Sequence, residues 1–161
     1  MIPVLASEQL QHACTTPAFA GLVRLVSEID DHGAIPPRAL ARTLPDLTPN
    51  QIRQATEQAD ALGLLDRSHR GLGLSAAGQD LADLYDATAR WARRHNYPAR
   101  ICDFAGRIRH TLALLCESAV TDLRIQDGDA ATGLGHVHRL LAEWVHTYQP
   151  QPTRGAYGAA A

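Results

Sequence analysis

Lysine is absent from this chain, so every one of its 15 Lys-plus-Arg positions is an arginine. Together with the abundant Ala, Gly and Pro, this one-sided usage reads as compositional bias of a GC-rich genome and not as selection for phosphate binding. Against 17 Asp plus Glu the formal net charge is -2, which gives no overall attraction to nucleic acid, so any such role has to rest on local charge. Long apolar runs are missing too: nowhere do roughly 18 apolar residues follow one another, as a membrane-spanning helix needs. The start, Met1 to Ala6, has no basic segment of a secretory signal. A cytoplasmic protein without membrane contact is therefore expected. Cysteine is scarce: Cys14, Cys102 and Cys116 are widely spaced and odd in number, which argues against a disulfide framework and suits core positions in a reducing compartment.

Signals of catalysis are missing as well. The chain has no glycine-rich phosphate loop, no nucleophile elbow and no paired-carboxylate motif. His136 and His138 are two residues apart and diverge on a helix, and no C-x-x-C or H-x-x-x-H pattern accompanies them. Cys102, His110 and Cys116 read as core residues of a helical body. No catalytic residue, metal or cofactor is expected.

Helix signals are frequent. Thr16 and Pro17 supply a cap and a first-turn proline, after which Phe19, Leu22, Val23, Val26 and Ile29 recur at helical spacing up to Gly33. After Ile35-Pro36-Pro37, Leu40, Ala41 and Leu44 mark a short second helix ended by Pro45. Thr48-Pro49-Asn50-Gln51 combines a Thr N-cap, Pro at the first helical position and Gln three residues after the cap, so a third helix starts here. Its apolar positions Ile52, Ala55, Ala59 and Leu62 share a face, and Gly63 ends it. Leu64 to Leu74 reads as two short strands around a polar tip. Ser75 caps a fourth helix running towards Asn96, with Leu81, Leu84, Tyr85, Thr88, Trp91 and Ala92 along one side. Ile101, Phe104, Ala105, Ile108, Leu112 and Leu115 continue a helical period. A break at Gln126 to Asp129 precedes a last helix with Val137, Leu140, Leu141, Trp144 and Val145. The tail 149–161 has nothing to bury and is expected to be disordered.

Two short helices, a tight turn, a two-stranded hairpin and a long helix follow one another in the order of a winged helix-turn-helix. In Arg38 to Arg53, Ala61-Leu-Gly-Leu-Leu-Asp-Arg67 and Leu74-Ser-Ala-Ala-Gly78, over roughly residues 14 to 97, the chain resembles the HxlR-type and MarR-type bacterial regulators. That resemblance implies a mostly α winged-helix fold with a small wing, a DNA-binding function in transcription regulation, and dimerisation. The expected division is a winged domain at 1–97, a helical dimerisation or ligand-binding extension at 98–148, and the tail.

On the third helix, Asn50, Arg53, Gln54 and Glu57 point away from the apolar face. Arg reads guanine and Asn or Gln reads adenine in the major groove, whereas Glu57 would oppose phosphates. Thr48, Gln51 and the helix start are candidate phosphate contacts, and Arg67, His69 and Arg70 are candidates in the wing. The same residues also make an ordinary solvated face. From Arg90 to Arg109 there are six arginines and one acid, Asp103, read either as an anion-binding patch or as cations suited to a helix C-terminus. Tyr85, Trp91, Tyr97 and Phe104 beside Arg94 form a candidate pocket for a small anionic effector. Trp91, Phe104, Ile108, Leu112, Leu141, Trp144 and Val145 carry more apolar surface than a small wing domain covers, hence an expected homodimer. The alternative from another class is a protein-interaction module on the same scaffold without DNA affinity; a methyltransferase dimerisation domain is a third reading, for which the chain lacks the glycine-rich cofactor region.

Overall fold

The computed structural model describes residues 20–118 and 128–149. The Thr16-Pro17 helix start, Cys14, the Cys116 side chain and the expected tail from Pro150 onward lie outside the described residues.

Helix α1 spans Ala20–His32 and buries Leu22, Val23, Leu25, Val26 and Ile29 at helical spacing. The chain then passes through Gly33 to Ile35, which forms an antiparallel bridge to Leu72, with both backbone hydrogen bonds made (3.0 and 2.8 Å). A 3-10 turn at Pro37–Ala39 runs into α2, Leu40–Thr43, so the expected second helix is one turn long. Helix α3 is Pro49–Ala61. It ends through Gly63, whose left-handed φ of 71° a side chain would make unfavourable. Strands β1, Leu65–Ser68, and β2, Gly71–Leu74, pair antiparallel with Leu65 opposite Leu74 and Ser68 opposite Gly71. Only His69 and Arg70 remain as the tip.

Ser75 caps α4, Ala76–Arg94, accepting from the Gly78 amide while its hydroxyl donates to the Gly63 carbonyl at 2.6 Å. One side chain thus joins the end of α3's C-cap to the start of α4. Asp103 takes the same role for α5, Phe104–Ser118, its Oδ1 accepting from the Gly106 amide at 2.6 Å. Helix α6, Gly128–Tyr148, completes the described chain.

Helix α4 is central, packing against α1 on one side and against α5 and α6 on the others. Each tryptophan pins α4 to α6: Trp91 Nε1 donates to the Ala130 carbonyl at 3.0 Å and Trp144 Nε1 to the Ala77 carbonyl at 2.9 Å. A single apolar cluster extends from Leu22 to Trp144, continuous across the 97/98 boundary. The fold is mostly helical with one two-stranded antiparallel sheet, and no described helix is long and apolar enough to cross a membrane.

Several expectations need correction. Ile101 lies in the loop before α5 and is 91% exposed, because the helix starts only after the Asp103 cap. The last helix begins at Gly128, inside the expected break. His110 is exposed and Cys102 half-buried, so neither is a core residue. Trp91, Ile108, Leu112, Leu141 and Trp144 are buried within the single chain, and Phe104 and Val145 are partly buried against the same cluster. The surplus apolar surface that implied a dimer is therefore covered internally. Gln149, placed in the tail, is tied down: its amide donates to the Val145 carbonyl and its Nε2 to the Leu62 carbonyl at 3.2 Å.

Candidate nucleic-acid interface

The N-terminus of α3 is built by its own four residues. Thr48 Oγ1 accepts from the Gln51 amide at 3.2 Å and Gln51 Oε1 accepts from the Thr48 amide at 2.8 Å, the reciprocal capping box expected from the sequence. Thr48 and Gln51 are thereby structural residues first, the hydroxyl proton of Thr48 and the Gln51 amide nitrogen being what they retain for a ligand. Ile52, Ala55 and Ala59 face the core. Asn50, Arg53, Gln54 and Glu57 are exposed, as the helical period requires. Arg53 Nη2 donates to Asn50 Oδ1 at 2.6 Å, so the two side chains lie together along the outer face one turn apart.

The turn before α3 is fastened to α1. Arg24 grips Asp46 with two parallel hydrogen bonds, Nε to Oδ2 at 2.8 Å and Nη2 to Oδ1 at 3.0 Å, a fork geometry that fixes direction as well as charge. The guanidinium of Arg24 holds the Asp46 carboxyl below its ordinary range.

In the hairpin the predicted residues separate. Arg67 is bound to Asp60 at the end of α3, which ties β1 to the helix and neutralises this arginine. Arg70 and His69 stand exposed at the tip, where the Arg70 amide donates to Ser68 Oγ at 3.2 Å. Among the described residues no carboxylate pairs with Arg38, Arg42, Arg53 or Arg70. Arg38 and Arg42, both exposed in the short α2 region, were not singled out from the sequence. Their signal was present, two arginines four residues apart beside the capped helix.

The five residues of the expected effector pocket do not share a cavity. Tyr85 is fully buried in the core, where desolvation raises its hydroxyl pKa far above the usual range. Trp91 and Arg94 line one groove, with the half-buried Tyr97 ring 5.8 Å from the Trp91 ring. Phe104 lines another, beside Asp30, Asp31 and Asp86. Only Tyr85 and Trp91 belong to α4, whereas Tyr97 lies in the loop after it and Phe104 opens α5. Among the described residues no group of His, Cys, Asp and Glu is placed to hold a metal.

Beside Phe104 the carboxylates repel one another. Desolvation first, then the charges of Asp30, Asp31 and Asp83, hold the Asp86 carboxyl above its ordinary range, with Arg90 opposing; Asp30 is raised by desolvation and by Asp31 and Asp83. A carboxyl raised on folding binds its proton more tightly in the native state, so its contribution favours folding below the unfolded pKa and is lost as pH rises through the folded value. Asp86→Asn should accordingly raise the melting temperature at neutral pH in low salt. The gain should shrink in about 1 M salt, where charges are screened within a few ångströms, and below about pH 3, where carboxyls are protonated. A lower melting temperature at neutral pH would contradict it.

The chain matches no family model, no curated protein and no solved structure.

Proposed function

We propose that this chain is a DNA-binding transcriptional regulator that presents α3 to the major groove from a winged helix-turn-helix. The observation that carries the reading is the exposed Asn50–Arg53–Gln54 face at the capped start of α3. These are the side-chain types that read guanine and adenine edges. Two further features support it. The chain order of helix, bridge at Ile35, two helices, hairpin and helix is the order in which winged-helix proteins set a reading helix beside a wing. Four arginines of this half, at 38, 42, 53 and 70, are left without a carboxylate among the described residues, which offsets an overall charge of -2 where phosphates would lie. Binding as a homodimer over two half-sites belongs to the proposal, as does a cytoplasmic location.

The test is a salt-dependent titration of the full chain on the DNA flanking its own gene, with sedimentation of the complex to count chains per site. Arg53→Ala should weaken specific binding by roughly 1–3 kcal/mol per half-site, the worth of a bidentate arginine contact. Arg70→Ala should lower affinity for all sequences and reduce the salt slope by about one. Arg67→Ala should change the slope less, since Asp60 already neutralises that arginine.

A second reading is a protein-interaction module, favoured by Glu57 on the reading face and by the Asp60–Arg67 pair, which takes a cation out of the wing. No DNA binding by the wild type at low salt, or an unchanged specific affinity for a folded Arg53→Ala variant, would select it.

A further inference from the structure

A groove of about 180 Å³ lies between the C-terminal end of α4 and the N-terminal half of α6. Its floor is the indole of Trp91, held in place by its bond to the Ala130 carbonyl and by contact with Gly133, where an added Cβ would stand 2.7 Å from the indole Cδ1. Arg90 and Arg94 line it from α4, one turn apart on the same face. His95, its ring tilted 43° against Trp91 with centroids 5.0 Å apart, lines it at the helix end, and His136 does so from α6. The ring nitrogen Nδ1 of His136 lies 2.7 Å from Arg139 Nη2. An arginine can only donate, so Nδ1 accepts and a neutral ring carries its proton on Nε2. That nitrogen is a donor.

The groove also adjoins the first turn of α6, where Asp129 sits. Asp129 supplies the local negative charge, its Oδ2 lying 3.2 Å from Arg94 Nη2 with both side chains more than 60% exposed. Exposed pairs of this kind are worth little and exchange readily. Two guanidiniums and the His136 imidazole line one small volume, beside an apolar strip of Trp91, Ala87 and Val137.

We infer that this groove is a binding site for a small phosphate monoester, the phosphoryl oxygens held by Arg90, Arg94 and His136 and the carbon body lying on Trp91. Arginine forks match phosphate oxygens in pairs, and an indole surface favours an ester over free phosphate. The site is independent of α3: loss of DNA binding leaves it intact, and its failure leaves the DNA reading intact.

The experiment follows the indole N–H resonances of the full chain by NMR, with Trp91 identified through Trp91→Phe, during titration with phenyl phosphate, inorganic phosphate and phenol. Phenyl phosphate should shift the Trp91 resonance saturably and leave Trp144 unmoved, with inorganic phosphate about tenfold weaker and phenol without effect. Arg94→Gln and Arg90→Gln should each weaken phenyl phosphate about tenfold. Asp129→Asn, which removes the competing carboxylate, should strengthen it by about threefold, a gain that damage to the fold would not produce. No saturable shift of Trp91, or unchanged binding in a folded Arg94→Gln variant, overturns the site. Equal binding of phosphate and phenyl phosphate overturns the monoester class, and a shift seen only with DNA assigns the cluster to backbone contact instead.

Discussion

Gly71→Ala is expected to cost about 3 kcal/mol or more, because two penalties of about 1–3 kcal/mol each fall on the same atom. Gly71 follows the two-residue hairpin tip with φ at 121°, a conformation L side chains rarely adopt. A Cβ there would lie 2.3 Å from the Ile35 carbonyl oxygen and 2.6 Å from the Pro36 nitrogen. Neither neighbour is free to move. Ile35 is held to Leu72 by two backbone hydrogen bonds, and Leu72 and Ile35 are both buried. The glycine is therefore what lets the hairpin lie against the segment after α1. Gly63→Ala is the matched control: its φ is also positive, 71°, but nothing lies within 4 Å of the added carbon, so about 1 kcal/mol of backbone strain is expected. Denaturant unfolding of both variants, with midpoints compared at equal slope, separates the terms. Equal losses in the two would refute the close-approach argument.

Arg107→Met should cost about 3–5 kcal/mol. Arg107 is 6% exposed, and its charge faces carbonyls: Nη1 donates to Ala92 O at 3.3 Å and Tyr97 O at 2.8 Å, and Nη2 to Arg100 O at 3.1 Å. The Ala92 oxygen belongs to the last turn of α4 and the other two to the loop beyond it, near the negative end of the helix dipole. The guanidinium thus satisfies carbonyls that the helix leaves open and ties the α4–α5 loop to α5. Methionine keeps most of the volume but removes these three hydrogen bonds, leaving the Ala92 oxygen only the Tyr97 amide. Arg107→Lys keeps the charge but not the fork, and an intermediate loss of about 1–3 kcal/mol is expected. A melting temperature for Arg107→Met within a degree or so of wild type would show that the loop carbonyls find other donors; the roughly 2–4 °C per kcal/mol typical of a chain of 161 residues makes the expected loss plain.

Arg107 also marks a boundary of what sequence reading reaches. It stands in the same arginine-rich run as Arg90 and Arg94, and composition treats the three alike. Helical period separates them once the core face is known: Arg90 and Arg94 fall on the outer stripe of α4, whereas Arg107 shares a face with Ile108 and Thr111, which are buried. Its carbonyl partners lie 7 to 15 positions away, in the last turn of α4 and in a loop with no pattern of its own. The Arg67–Asp60 and Arg24–Asp46 pairs were hidden for the same reason, since each joins two elements whose approach no local signal encodes. The bridge of Ile35 to Leu72 was hidden too, because a one-residue strand has no alternation to detect.

The amino-acid sequence by itself determined the features closed within a few residues. These are the capping box of α3, the Ser75 start of α4, the short two-stranded hairpin, the left-handed end at Gly63 and the buried stripes of α1, α3 and α4. Their energetics are local: a cap, a turn or a helical face is satisfied by neighbours in the chain. Only the tertiary structure decided which arginines stay free, that Tyr85 is core while Trp91 floors a groove, and that the C-terminal helices cover their own apolar surface around α4. Those outcomes depend on which faces meet across 20 to 100 positions of chain. Charge pairing and burial act through space, and residue type and spacing carry no record of the distance that folding will leave between them.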